Sequence, residues 1–366
     1  MISKIRLSQI CGYFFILIHS LSKGLSLSQS DNIYYFISII SLCVLAIKAI
    51  NCEFHKKEFL FYFISVFLAI IVYLLSGNLT ILLSVMAIFA CKDLNVKSLV
   101  KIILFTRILA FMAMFLLSNM DVIPDNDILF NRGNDILYRK SFGYLHPNET
   151  ALQLIIISTS AILLLEKRKN KNIGLLILFL LNYWMYKATY SRSSFLIILM
   201  FLIMEGLIVN FRIFSILIRK FSGVIIVIPI LITIVFMICY GKVGFLYEVN
   251  ELLTGRVQYA YIIGHYTLPK LFGINYGEFD LEKIYIDNGF IKLLYIDGII
   301  FFILMIPFAF ALIKKFKKYP NADYLVVMIM FFFYAITESS FDNAINTYIW
   351  LLSPAVLIKN KFKEAF

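Results

Sequence analysis

Long apolar stretches recur along almost the whole sequence and restrict what this chain can fold into. A helix needs about 20 mostly apolar residues to cross a bilayer, and about twelve stretches approach that length. Hydrophobic residues make up 61% of the 366 residues and charged residues only 15%, against ~45–50% and ~25% in soluble domains. A soluble globule of this size has no interior large enough to hide so much apolar surface. The sequence therefore predicts an all-α integral membrane protein, a polytopic bundle whose spans are 9–28, 32–51, 58–76, 78–92, 98–118, 147–165, 172–188, 191–210, 221–241, 288–312, 323–340 and 343–359.

Basic residues fall in short clusters between the apolar stretches, for example at Lys167–Lys171 and Lys314–Lys318. Cytoplasmic loops of membrane proteins are enriched in Lys and Arg. The clusters therefore predict that both termini lie in the cytoplasm. They also account for the net charge of +12 without nucleic acid, so we expect a lipid bilayer and not nucleic acid as a partner.

Two predicted outer segments are long, about 119–146 and 241–287, whereas the predicted inner loops are short. Residues 1–366 are accordingly predicted to form a single integrated transmembrane domain whose chemistry lies on the outer side. The sequence has no Walker A loop, no dinucleotide-binding Gly-rich turn, no HExxH motif and no CxxC pair among its five cysteines. We therefore expect neither a cofactor nor a metal ion.

The first polar motif precedes the predicted span 147–165 and contains His146, Pro147 and Asn148. Proline suits the first position of a helix, because its missing N–H would have no partner there. His146 is therefore predicted to be the N-cap at the outer end of this span. The unpaired N–H groups of a helix N-terminus attract anions, although a plain cap and turn explains the motif equally well.

The second motif, Tyr190-Ser191-Arg192, begins the predicted span 191–210. An arginine near a helix N-terminus is unfavourable against the helix dipole. The placement becomes favourable if an anion lies between the guanidinium and the helix N–H groups. The alternative is that Arg192 extends to the lipid headgroups.

The third group lies in and after the second long outer segment. Thr254 is predicted to cap a short helix, with Arg256 in its first turn. Asp287 and Asn288 are predicted to cap the span 288–312, and Glu338 lies beside a short outer turn. Capping alone, or a solvated turn, is the simpler explanation for these three residues.

These motifs together resemble the Wzy-type polysaccharide polymerases, within the wider group that includes the O-antigen ligases. The resemblance rests on the order Gly-x-x-His-Pro-Asn, Tyr-Ser-Arg-Ser, Leu-Leu-Thr-Gly-Arg, Leu-Phe-Gly and Asp-Asn-Gly-Phe over residues 140–345, and on the predicted topology. It implies a GT-C-like glycosyltransferase in a bacterial cytoplasmic membrane. Such an enzyme joins undecaprenyl-diphosphate-linked repeat units on the outer face, for a capsule, O-antigen or exopolysaccharide. A flippase and a chain-length regulator are further partners that the resemblance implies.

The resemblance also implies roles for individual residues. Arg192 and Arg256 would bind the diphosphate, and His146 would be the first candidate for the base, followed by Asp287 and Glu338. The remaining predicted substrate-binding residues are Asn148, Tyr190, Ser191 and Asn288. Three alternatives remain: a ligase that transfers glycan to another acceptor, a flippase for lipid-linked oligosaccharide, and a non-catalytic scaffold.

Overall fold

The structure is a computed structural model that describes residues 4–29, 31–132, 135–275, 277, 285–319 and 322–354. Within these residues it has fourteen α-helices, one pair of strands and two 3-10 helices. The helices are α1 Lys4–Gly24, α2 Asn32–Asn51, α3 Lys56–Ser76, α4 Thr80–Ala90, α5 Val96–Asn119, α6 Pro147–Leu164, α7 Arg168–Thr189, α8 Arg192–Asn210, α9 Arg212–Cys239, α10 Phe245–Leu252, α11 Arg256–Tyr266, α12 Gly289–Tyr295, α13 Ile299–Phe316 and α14 Asp323–Tyr334. The strands are β1 Ile128–Arg132 and β2 Asp135–Arg139, and the 3-10 helices are η1 Ser339–Asp342 and η2 Tyr348–Leu352.

Eight helices in the described part of the chain are long and apolar enough to cross a membrane: α1, α2, α3, α5, α6, α8, α9 and α13. This agrees with the prediction of an α-helical, multi-pass membrane protein. Helices α4 and α14 are apolar but have only 11 and 12 residues. Helix α7 is long enough, but basic residues in its first turn and Lys187 in its last dilute its apolar composition. The count of twelve spans remains a prediction.

The chain divides into two compact units. Unit one comprises the described parts of Met1–Cys52 and Ala90–Ile216, and unit two comprises those of Glu53–Phe89 and Leu217–Leu357. In unit one, α1 packs on α2 and α5, α5 packs on α6, and α6 packs on α7 and α8. Helix α6 is the central helix of this unit, with most of its residues buried. A single integrated domain over residues 1–366 stays a prediction.

The segment 119–146, which is predicted to lie outside, contains a feature that the all-α prediction missed. Strands β1 and β2 form an antiparallel hairpin in which Ile128 pairs with Arg139 and Phe130 pairs with Leu137. Apolar residues alternate weakly in this short segment, so its sequence pattern did not indicate strands. The backbone N–H of Lys140 donates to the carbonyl of Ala188, so β2 ends against the last turn of α7.

In unit two, the span predicted over 288–312 is interrupted. Helix α12 ends at Tyr295 and α13 begins at Ile299, with Asp297 and Gly298 between them. The segment 270–274 lies in this interruption. The N–H of Ile274 donates to the carbonyl of Tyr295 and the N–H of Ile299 donates to that of Lys270. The interruption is therefore stabilised by backbone hydrogen bonds from segment 270–274, which satisfy groups that a continuous helix would pair internally.

The close approach of these two backbone segments requires glycine on both sides. Gly273 and Gly298 have φ of +89° and +93°. A Cβ atom on Gly273 would lie 1.9 Å from the carbonyl oxygen of Ile296, and one on Gly298 would lie 2.5 Å from that of Leu271. No side chain fits at either position without moving the backbone.

The last two predicted spans are shorter than expected within the described residues. The span 323–340 is helical only over Asp323–Tyr334, and η1 follows it. The predicted span 343–359 begins as a turn and the 3-10 helix η2, and its last residues, 355–359, lie outside the described residues. Two side chains bond to the backbone here: Asn343 Oδ1 accepts from the N–H of Ile345, and Thr347 Oγ1 donates to the carbonyl of Ser340. Such local bonding competes with helix formation.

Candidate functional site

His146 lies where the sequence predicted it, at the N-cap of α6. Its Nδ1 accepts a hydrogen bond of 3.0 Å from the N–H of Asn148, and Pro147 is the first residue of the helix. The imidazole itself is exposed. The capping role is confirmed, and it engages one of the two ring nitrogens that a base would use.

Asn148 and Ser191 are brought together by an arginine that the sequence analysis did not single out. Arg139, which is 8% exposed, donates from Nη2 to Asn148 Oδ1 at 2.7 Å and from Nε to the carbonyl of Thr189 at 2.8 Å. Ser191 Oγ also donates to Asn148 Oδ1, at 3.0 Å. Arg139 therefore joins the start of α6 to the end of α7, where a cation is favoured by the helix dipole.

Arg192 is the first residue of α8 and is exposed. Tyr190 is the C-cap of α7 with a left-handed φ of +48°, so Tyr190 and Ser191 form the whole connection between the two helices. Among the described residues, the Arg192 guanidinium makes no hydrogen bond or ion pair. Its five N–H donors are thus available to an external partner.

Tyr144 lies in the loop just before His146, but it is a poor acid–base group. Its side chain is buried, and burial raises the pKa of its hydroxyl above the ordinary tyrosine value. A phenol with a raised pKa stays neutral at physiological pH. Tyr144 therefore contributes packing, stacking on Phe111 with ring centroids 6.5 Å apart.

We expect the replacement Arg139→Ala to destabilise the protein by ~2 kcal/mol, because it leaves the Thr189 carbonyl and the Asn148 side chain without a charged donor. The measurement is the thermal unfolding midpoint of the purified protein in detergent. Lys140→Ala, at the exposed next position, is the matched control and should leave the midpoint unchanged. Equal midpoints for the two variants would contradict the role of Arg139.

In unit two, α11 begins at Arg256, so the prediction that this residue lies in the first turn of a short helix is confirmed. The predicted cap is wrong. Gly255 is the N-cap, with φ of +87°, and Thr254 has a left-handed φ of +55° and does not cap the helix. Two successive left-handed residues turn the chain sharply between α10 and α11.

Arg256 contacts two of the acidic residues that the sequence analysis selected. Its side chain is 9% exposed; Nη2 donates to Glu338 Oε1 at 3.0 Å, and Nε lies 3.7 Å from Asp287 Oδ2. The structure thus brings together Arg256, Glu338 and Asp287 from three separate segments. Two carboxylates neutralise the guanidinium, so an anion that binds Arg256 has to displace at least one of them.

Asn288 is the N-cap of α12, as predicted, and its Oδ1 accepts hydrogen bonds from the N–H groups of Phe290 and Ile291. Its Nδ2 donates to Thr233 Oγ1 and to the carbonyl of Ile336, both at 3.0 Å. All these bonds are buried within the protein. Asn288 therefore has a structural role here, whereas its neighbour Asp287 faces Arg256.

One turn further along α12 there is a second charged pair. Lys292 Nζ lies 3.0 Å from Asp342 Oδ2, and the Asp342 side chain is fully buried. Asp342 also interacts with Asp297 in the helix interruption, and Asn78 Nδ2 donates to Asp297 Oδ1 at 3.1 Å. Lys292 was not predicted as a site residue, because it lies within an apolar stretch.

The predicted site residues thus form two groups that belong to different units. His146, Asn148, Tyr190, Ser191 and Arg192 lie in unit one, and Arg256, Asp287, Asn288 and Glu338 lie in unit two. Within the residues that the structure describes, no group of three or more His, Cys, Asp or Glu side chains is placed to hold a metal ion.

No protein-family model, no curated protein and no solved structure matches this chain.

Proposed function

We propose that this protein is a membrane glycosyltransferase that polymerises oligosaccharide repeat units carried on undecaprenyl diphosphate, at the outer face of a bacterial cytoplasmic membrane. The observation that carries the proposal is the buried Arg256 at the start of α11, with Glu338 and Asp287 on its guanidinium. The polytopic helical fold supports it. The proposal includes the twelve-span, GT-C-like topology with both termini in the cytoplasm.

The arrangement in unit two suits the chemistry of a diphosphate leaving group. In the proposed reaction, an acceptor hydroxyl forms a bond to the anomeric carbon while the bond from that carbon to the diphosphate oxygen breaks. Negative charge grows on the diphosphate, and a buried guanidinium stabilises it most strongly in the transition state. Arg256 exchanges Glu338 for the diphosphate in this step.

Glu338 then becomes available to accept the proton of the acceptor hydroxyl. A carboxylate that is released from an ion pair is a stronger hydrogen-bond acceptor, and it lies next to the bound diphosphate. His146 is a weaker candidate because its Nδ1 caps α6. The proposal therefore moves Glu338 ahead of His146 as the base.

The test is the length distribution of the surface glycan, separated on a gel, in a strain that lacks the gene. We expect the ladder of long chains to disappear while a single repeat unit still reaches the outer face, and a plasmid copy of the gene should restore the ladder. Long chains that accumulate on the lipid carrier would instead indicate a ligase. An unchanged ladder would contradict both functions.

A second candidate function, a flippase for lipid-linked oligosaccharide, is favoured by one observation. The interruption between α12 and α13, with the Lys292–Asp342 pair and Asp297 beside it, resembles the discontinuous helices at transporter binding sites. In the same strain, a flippase defect would leave repeat units on the inner leaflet. Protection of those units from an added, membrane-impermeant glycosidase distinguishes the two functions.

A further inference from the structure

Unit two contains an apolar cavity with a volume of about 340 Å³. Its walls come from α3, α4, α12, α13 and the segment that includes η1 and η2, and they include Phe61, Ser65, Val85, Leu304 and Trp350. Ligand pockets are concave, mostly apolar and ~300–1,000 Å³ in volume, so this cavity is a candidate ligand site.

The chemistry of the walls selects a hydrocarbon. Trp350 forms one wall and is fixed by Phe308, stacked at 5.8 Å between ring centroids, and by Phe341 at 5.5 Å. Asp342 is the one charged residue among the described lining residues, and its carboxylate is paired with Lys292 at 3.0 Å. A polar or charged ligand would find few partners on such a surface.

The cavity borders the part of the surface that faces hydrocarbon in a membrane. Phe61 on α3 and Leu304 on α13 line it and are 52% and 47% exposed, and both helices are apolar enough to span a bilayer. A chain of a membrane lipid can thus enter sideways without crossing water.

The volume of about 340 Å³ is large enough to hold part of a hydrocarbon chain of the lipid.

The cavity is also connected to Arg256 through one short segment. Glu338 contacts Arg256, and the four residues of η1 lead from Glu338 to Phe341 and Asp342, which line the cavity. A 3-10 helix rises ~2 Å per residue, so the two sites are separated by roughly 8 Å along this segment. One lipid molecule can place its phosphate at Arg256 and its chain in the cavity.

We propose that this cavity binds the hydrocarbon chain of a single-chain lipid diphosphate, with its headgroup at Arg256. This inference rests on the proposed function, because it assigns a place to the chain of the donor lipid. The chain position fixes the diphosphate relative to Arg256 and explains how one guanidinium selects a membrane-borne donor.

The experiment uses the full-length protein in phosphatidylglycerol vesicles and a photoreactive, single-chain farnesyl diphosphate as the probe. We expect the label on peptides of α3 and α4. Val85→Trp and, as a second filling variant, Ser65→Trp should reduce labelling by about tenfold or more, because a bulky side chain occupies the space of the chain. Val224→Trp, at an exposed position of α9 in the same unit, is the matched control and should label like the wild type.

Two results would overturn the inference. One is labelling that Val85→Trp and Ser65→Trp leave unchanged, with both variants folded by thermal unfolding. The other is competition by uncharged farnesol as effective as that by unlabelled farnesyl diphosphate, because the diphosphate is proposed to lie at Arg256.

Failure of the proposed function gives a different pattern. If the deletion strain keeps its long glycan while the cavity is still labelled, the chain site stands and the polymerase function falls. If Val85→Trp loses the label but polymerises like the wild type, the chain site falls and the polymerase function stands. Reduced labelling in Arg256→Ala together with lost polymerisation would support both.

Discussion

Replacing Arg256 by alanine should lower polymerisation by ~10²–10³-fold, the effect of removing one preorganised group that stabilises developing charge. The protein should remain folded in the membrane, because the partners of Arg256 keep access to water: the side chains of Glu338 and Asp287 are 19% and 46% exposed. Removing a cation from partly exposed carboxylates costs much less than removing it from buried ones. The measurement is glycan length in the complemented deletion strain, normalised to the amount of protein in the membrane.

Two further variants separate charge from geometry. Arg256→Lys keeps the positive charge but loses the planar fork that binds a phosphate with two parallel hydrogen bonds. We expect it to fail nearly as badly as Arg256→Ala. Glu338→Gln keeps the shape of the side chain and removes its ability to take a proton, so it should also lower polymerisation if Glu338 is the base.

Two exposed arginines allow a comparison with Arg256, one as a control and one as a second predicted site residue. Arg212→Ala, at the exposed start of α9, should have wild-type glycan length, since it lies outside every motif. Arg192→Ala should shorten the glycan without any change in stability, because Arg192 has no partner among the described residues to lose. Wild-type glycan from Arg256→Ala at normal protein level would refute the assignment of Arg256.

The features that the sequence predicted correctly are local ones. The start of α6 followed from Pro147 and His146, and the start of α8 followed from Ser191 and Arg192, because cap and first-turn preferences act within a few residues. The apolar stretches predicted the membrane-spanning helices for a similar reason, since the length of a stretch is read directly from the chain.

The interruption between α12 and α13 could not be predicted in the same way. Residues 288–312 are apolar almost throughout, so their pattern favours one continuous helix. The break depends on hydrogen bonds from residues 270–274, which the sequence places in an outer loop. Gly298 was visible, but a single glycine in an apolar stretch is a weak signal.

The charged contacts are also non-local. Arg256 and Glu338 are 82 residues apart, and Lys292 and Asp342 are 50 residues apart. Sequence spacing carries no information on such pairs without knowledge of the fold. Arg139 was missed for another reason: it belongs to a strand in a segment predicted as loop. One signal was available in the sequence. Arg139 lies in a segment predicted to be outside, whereas basic residues are usually concentrated in cytoplasmic loops.

Replacing Gly273 by alanine should destabilise unit two by at least about 3 kcal/mol, which places it among the most damaging single substitutions. Gly273 has φ of +89°, and its new Cβ would lie 1.9 Å from the carbonyl oxygen of Ile296 and 2.7 Å from the carbonyl carbon. Both contacts are with backbone, which cannot rotate away as a side chain can. Relief requires that segment 270–274 move off the helix interruption and lose its hydrogen bonds to Tyr295 and Ile299.

Two other glycines divide this effect into its causes. Gly77 also has a positive φ, +71°, but a Cβ there meets nothing within 4 Å, so Gly77→Ala should cost only the ~1–2 kcal/mol of the left-handed backbone. Gly244 has a right-handed φ of −54° and open space around it, so Gly244→Ala should change stability by less than ~0.5 kcal/mol. Thermal unfolding of the three variants in detergent measures the series. If Gly273→Ala unfolds at the same temperature as Gly77→Ala, segment 270–274 does not lie tightly in the helix interruption. The interruption would then not explain why Asp297 lies beside Asp342.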